Sequence, residues 1–337
     1  MNKFKFIVKL SSILLIVFFI VLSFFYLYLK LEKPKKNETM IFGVSFNPEY
    51  ASSLGEEPRQ VFDWLISDLG FKYVRFSAQW DEIEKQKGEY DFSDLDYYMA
   101  RAVENNLKVI LAVGRKTPRW PECHLPGWAK NQTFNQYSAE LENYIKVVVE
   151  RYKNNQALEI WQVENEAFLA FGECQPLKKD FLIKEINLVK SFDSNHPILI
   201  SDTGELSLWF KTAMAGDLFG TTMYRTVWNK YIGYLNYDWL PISWYNFRLK
   251  IHGRDLSESY VVELQAEPWL PGTAVQNTSF EEQYKSMNFD RLIDNVEYAK
   301  NSGMSRSYLW GGEWWYYLLN NYKEADLVNY IKSLKKE

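Results

Sequence analysis

Eight short runs of β-branched and aromatic residues recur between residues 41 and 311, and each is followed by a polar, aromatic-rich loop. The runs are IFGVSF (41–46), KYVRFSA (72–78), LKVILAV (107–113), LEIWQV (158–163), PILISD (197–202), LFGTTMY (218–224), SYVVELQ (259–265) and RSYLWG (306–311). Helical periodicity fills segments between them, as in residues 58–70, 94–106, 138–155 and 289–303. Strands that alternate with helices form a parallel sheet, and eight such units in about 300 residues predict an α/β fold closed into a (β/α)8 TIM barrel. An open doubly wound sheet is the alternative, but no G-x-G-x-x-G or phosphate loop follows the first run.

A barrel predicts where chemistry belongs: at the C-terminal ends of the strands and in the loops beyond them. Polar and aromatic residues gather there. They are Asn47 and Glu49 after the first run, Arg75 and Trp80 at the second, Arg115 to Trp128 after the third and Glu166 after the fourth. Asp202 and Glu205 follow the fifth, Tyr224 and Trp228 stand at the sixth, Glu263 and Glu267 at the seventh, and Trp310, Glu313 and Trp314 at the eighth.

The chain before the first run differs in kind. Residues 1–9 are a short basic start, and Leu10 to Leu29 contain no charge over a length that crosses a bilayer as a helix. No small-residue cleavage site follows, so the run reads as an uncleaved, single-pass anchor. Residues 30–40 read as a linker and 41–337 as one catalytic domain. Lysines stand on both sides of the apolar run (Lys3, Lys5 and Lys9 against Lys30, Lys33, Lys35 and Lys36), and the charge rule leaves the orientation open. Residues 1–39 carry seven Lys against two Glu, so a chain of net charge −4 leaves about −9 on the remainder. An acidic body argues against nucleic acid and polyanionic substrates.

Composition adds a ligand preference. Aromatic residues make up 17%, with 13 Trp and 23 Tyr, more than a core requires, which suits a site that stacks on flat, half-apolar sugar rings. Three His (His124, His196, His252) and two Cys give no metal-binding spacing, and no cofactor is expected. Cys123 and Cys174 lie in loop-like sequence and can pair outside a reducing compartment.

Residues 157–171, ALEIWQVENEAFLAF, place Glu164 and Glu166 at the end of an apolar run. A buried carboxylate costs several kcal/mol unless paired or neutralised, so these residues demand a reason. Glycosidic cleavage supplies one. It needs an acid for the leaving oxygen and a carboxylate for the oxocarbenium-like carbon, and strands four and seven of eight face each other across a barrel mouth.

WQVENE resembles the Asn-Glu signature of the large clan of retaining glycoside hydrolases built on (β/α)8 barrels, which includes cellulase-like and β-galactosidase-like groups. VVELQ resembles the clan's nucleophile strand, and VRFSAQWDEIEKQKGEYDFSDLD resembles its passage after strand two. The resemblance runs from about residue 41 to the end. It implies Glu166 as acid/base, Glu263 as nucleophile, Asn165 on the hydroxyl next to the reacting carbon, Arg75 near the nucleophile, Tyr224 touching it and Trp310 under the sugar ring.

Glu164 competes with Glu166, because the two share a face if the strand stays regular, and Glu267 competes with Glu263. Trp80, Trp120, His124, Glu267, Trp269 and Glu313 are further expected contacts for substrate. The expected activity is hydrolysis of β-linked oligo- or polysaccharide by a membrane-anchored, extracytoplasmic domain. A non-catalytic carbohydrate-binding barrel and a transglycosylase are the competing readings.

Overall fold

The computed structural model describes residues 3–272 and 274–337; the first two residues of the basic start and Thr273 lie outside the described residues. Eight parallel strands close a barrel: β1 (Ile41–Ser45), β2 (Tyr73–Ser77), β3 (Lys108–Val113), β4 (Leu158–Val163), β5 (Ile198–Asp202), β6 (Leu218–Met223), β7 (Ser259–Gln265) and β8 (Arg306–Trp310). They follow one another in sequence order around the ring, and β8 pairs with β1 to close it. All eight predicted strands are present, with ends displaced by at most one residue.

Alternation along the strands separates two apolar layers. Val109, Leu111, Trp161, Val163, Val261 and Leu264 pack outward against the helices, whereas Ile110, Ile160, Leu199, Tyr260, Val262 and Tyr308 form a separate cluster that fills the barrel. Gly43 makes that filling possible, because a Cβ there would lie 2.7 Å from the Tyr308 ring. Above this plug the inward positions turn polar: Ser45, Arg75, Gln162 and Ser201 are all buried. The sequence therefore seals the bottom of the barrel with hydrocarbon and leaves hydrogen-bonding groups at the top.

Two irregularities aim the carboxylates. Register between β6 and β7 shifts after Thr221, which pairs with Val261 while Thr222 pairs with Glu263. Such a bulge breaks the two-residue alternation and lets Glu263 point inward directly after the inward Val262. Beyond β4, Glu164 (φ 58°) and Glu166 (φ 44°) both adopt left-handed backbone, a conformation costly for residues with a Cβ and concentrated at functional sites. The pleat thus ends at Val163, and the two glutamates do not share a face as a regular strand would require.

The helix Lys3–Leu31 encloses the expected anchor, and its segment Lys9–Leu31 is long and apolar enough to cross a membrane. Phe25 packs on Trp244 and Phe247, and Tyr26 Oη donates to the Trp239 carbonyl. The linker is docked rather than free: Asn37 bonds the Lys300 and Met304 carbonyls. A two-stranded antiparallel hairpin, Thr226–Asn229 with Gly233–Asn236, follows β6 and was not among the sequence expectations.

Candidate active site

Arg75 organises the mouth. Its Nη1 donates to Glu263 Oε1 at 3.0 Å, its Nη2 to Asn165 Oδ1 at 2.9 Å and its Nε to Gln162 Oε1 at 2.8 Å. Tyr224 Oη donates to the second oxygen, Glu263 Oε2, at 2.8 Å. Glu263 is thereby fixed through both oxygens at the centre of the ring. Burial, and then the Glu263 charge, push the Tyr224 hydroxyl well above the usual phenol range, so it remains a donor.

Glu166 enters from β4. Its backbone N–H donates to Ser201 Oγ at 3.1 Å, and its Oε1 accepts from Thr222 Oγ1 at 3.2 Å. Lys116 Nζ holds the following turn through the Glu166 and Leu169 carbonyls. Burial first, and then the Glu263 and Glu122 carboxylates, raise the Glu166 carboxyl well above the usual range. A carboxyl group held protonated in one site with a second carboxylate is an arrangement acid/base chemistry can use.

Glu164 turns elsewhere. Its oxygens accept the backbone N–H groups of Arg115 and Lys116, each at 2.9 Å, and a Cβ on Gly114 would lie 2.5 Å from its Oε1. It fastens the loop after β3 to the end of β4. Glu267 likewise stands apart from Glu263: it is ion-paired with Arg119, which also reaches Glu313 Oε2 at 3.3 Å. Glu313 is fully buried and accepts from the Asn47 N–H. Burial, opposed by Arg119, pushes its carboxyl up to about 7.

The Arg119 guanidinium lies 4.1 Å from the Trp310 ring centre and 3.9 Å from that of Tyr50. Trp310, expected beneath a sugar, therefore carries a charged cap on one face. Trp120 projects outward with 65% of its surface exposed, and its ring begins a string of ring contacts through Phe171 and Trp269 to Tyr224, spaced 5.9, 5.9 and 5.2 Å. This string runs from solvent to the side chain that touches Glu263.

Two expected contacts are corrected. Trp80 is fully buried, stacked on Tyr144 at 5.6 Å, with Nε1 donating to Glu84; it is core, because helix Phe134–Tyr152 supplies a ring to cover it. His124 is buried behind the wall, 3.3 Å from Asp81 and within hydrogen-bonding distance of Gln79 and the Arg119 carbonyl. Burial opposes the imidazolium, but Asp81 outweighs it and raises the pKa of the ring. The expected pairing of Cys123 with Cys174 is present and ties the loop after β3 to the loop after β4.

One buried carboxylate escaped the sequence reading. Glu122, in the same loop, accepts from Asn165 Nδ2 at 3.2 Å, and burial followed by the Glu263 charge pushes it up to about 7. Its only sequence signal was a charged residue between a proline and a cysteine in the loop after β3.

The sequence pattern of glycosyl hydrolase family 10 matches residues 68–186. β-Galactosidase LacZ of Heyndrickxia coagulans is 28% identical over 159 residues, covering 42% of this chain and 23% of that protein. β-Galactosidase BgaA of Clostridium cellulovorans is 24% identical over 218 residues, covering 57% and 32%. The chain thus spans about a quarter to a third of the length of the curated relatives it matches. In fold it is similar to the β-galactosidase of Halorubrum lacusprofundi (TM-score 0.53, 16% identity, 80% of this chain and 52% of that one). It is also similar to xylanase 10B of Thermotoga petrophila in complex with xylobiose (TM-score 0.51, 18% identity, 81% and 82%). With the barrel, the family 10 region and the β-galactosidase relatives taken together, the chain is similar to the retaining glycoside hydrolases built on (β/α)8 barrels.

Proposed function

We propose that this chain hydrolyses β-glycosidic bonds in neutral oligo- or polysaccharide by double displacement. Glu263, oriented by Arg75 and Tyr224, attacks the anomeric carbon; Glu166, kept protonated by burial and by its acidic neighbours, protonates the leaving oxygen. A glycosyl ester on Glu263 forms as the aglycone leaves. Glu166, now ionised, takes a proton from the incoming water as that water releases the sugar. The observation that carries this reading is the grip of Arg75 and Tyr224 on both oxygens of Glu263, because a binding module has no need of a carboxylate so fixed opposite a protonated one.

The domain works outside the cytoplasm, held to the membrane by the helix Lys3–Leu31. The disulfide suits an oxidising compartment, and the apolar length of the helix suits a span. The acidic body and the string of rings from Trp120 to Tyr224 favour an uncharged sugar chain as substrate.

The test uses full-length protein in detergent, assayed on aryl β-galactosides, β-glucosides and β-xylosides and on β-linked polysaccharides, with Glu166→Gln and Glu263→Gln alongside. Both variants are expected to lose turnover of poor leaving groups, Glu166→Gln retaining activated aryl glycosides better than Glu263→Gln, with NMR showing the β-anomer as first product. An α-anomer product, or turnover untouched by either substitution, contradicts the mechanism.

A further inference from the structure

We infer that Glu122 is a substrate contact: it reads the hydroxyl on carbon 2, beside the reacting carbon, of the sugar held in the barrel mouth. The inference rests on the glycosidase reading above and adds a residue to it. Asn165 fixes the geometry. Its Oδ1 accepts from Arg75 Nη2 at 2.9 Å, Ser201 Oγ at 3.0 Å and Gln162 Nε2 at 3.1 Å. With the oxygen so committed, the amide cannot flip, and its nitrogen faces the other way, where it donates to Glu122 Oε2. The clan resemblance puts this nitrogen on the carbon 2 hydroxyl. A hydroxyl beside this bonded pair would accept the second amide hydrogen and donate to the carboxylate, a charge-assisted bond stronger than a neutral one. An ammonium there would meet the amide hydrogens and have nothing to accept them with.

The surroundings of Glu122 leave it short of donors. It is buried, it forms no ion pair among the described residues, and its one bonded partner there is a neutral amide. A buried carboxylate in that condition has capacity for a further donor, and the open side of the mouth is where a sugar would bring one.

Two loops are built to hold it there. Gly172, in left-handed backbone at φ +81°, would place a Cβ 2.5 Å from both Glu122 Cβ and the Pro121 carbonyl, so no side chain fits beneath Glu122. Glu173 N donates to the Pro121 carbonyl at 3.0 Å, and the next residues on each side, Cys123 and Cys174, are covalently joined. Glu122 itself is held at φ 64°, a position most residues avoid. This much construction around one acidic side chain, on the amide expected to touch substrate, points to a contact rather than a loop filler.

The experiment compares kcat/KM for an aryl β-glycoside that the wild-type enzyme cleaves with kcat/KM for its 2-deoxy analogue, in wild type, Glu122→Gln and Glu122→Ala. The ratio of the two values cancels the fraction of each preparation that is folded. It is expected to fall about tenfold or more in Glu122→Ala and by less in Glu122→Gln, the range set by a hydrogen bond to a charged group. A ratio unchanged in both variants overturns the assignment while leaving the glycosidase reading intact, provided Glu263→Gln abolishes turnover and Glu166→Gln loses that of poor leaving groups. A wild-type enzyme inert toward every β-glycoside overturns both.

Discussion

Breaking the Cys123–Cys174 bridge should cost the protein stability of a calculable size, because the bond closes a long loop. The two cysteines are 51 residues apart. Chain-entropy arguments give about 4 kcal/mol for a loop of that length at 25 °C. A barrel of about 300 residues has an unfolding entropy near 0.6 kcal/mol/K, so the double variant Cys123→Ala/Cys174→Ala should melt roughly 6 °C below wild type. Scanning fluorimetry on the full chain in detergent, with and without reductant, reads this directly. Reduced wild type and the double variant should coincide, since both lack the same crosslink. Because the bridge joins the loop carrying Arg119 and Glu122 to the loop after β4, KM should rise more than kcat falls. A double variant that melts within 1 °C of oxidised wild type would refute the reasoning: it would mean that the unfolded chain is already compact around this loop without the crosslink.

Arg75→Met should destabilise the fold by about 3 to 5 kcal/mol in urea titrations, because it leaves Glu263, Asn165 and Gln162 buried without their common donor. A loss below 1 kcal/mol contradicts that. The pH dependence of stability has a definite sign. Glu122 and Glu313, both buried, titrate in the folded state at about 7 against 4.5 when unfolded, so across that window the native chain holds more protons. Stability should fall as pH rises from about 4.5 to 7, by on the order of 3 kcal/mol for each group, with the slope reduced in Glu122→Gln. A flat profile between pH 5 and 8 would place both carboxyls in water. Trp120→Ala should raise KM several-fold for long oligosaccharides and leave kcat/KM for aryl monoglycosides unchanged, since the exposed ring lies at the far end of the aromatic string from Glu263. Equal effects on both substrates would put the ring at the reacting sugar instead.

Much of the barrel was legible because parallel strands, covered on both faces, read as continuous apolar runs that helical periodicity interrupts. The hairpin after β6 was not, since its four-residue strands expose mixed faces and carry no such run. Trp80 and Trp310 look alike in sequence, each an aromatic ring at a strand end. Their fates diverge through third parties: Tyr144 buries the first, and Arg119 caps one face of the second without removing it from the mouth. Arg119 and Glu122 stood inside the polar, aromatic-rich passage after the third run, yet charge in a loop reads as solvated until the partners that bury it, Glu267 and Asn165, are brought up by distant strands.

The two glutamates of β4 show why spacing alone could not assign them. Glu164 and Glu166 both end an apolar strand, and both are buried. Burial raises the Glu164 carboxyl as well, but Arg115 and the two backbone N–H groups on its oxygens oppose that rise, and Glu185, pushed well above the usual range by burial and then by Glu164, can donate to it. Among the described residues Glu166 has no comparable set of donors: one threonine hydroxyl reaches it, and its acidic neighbours raise it further. Left-handed backbone at both residues turns one carboxyl into the wall and the other into the mouth. The residue whose carboxyl the fold supplies with backbone donors is thereby tied into the wall, and the residue left with fewer donors is the one we propose as the proton donor.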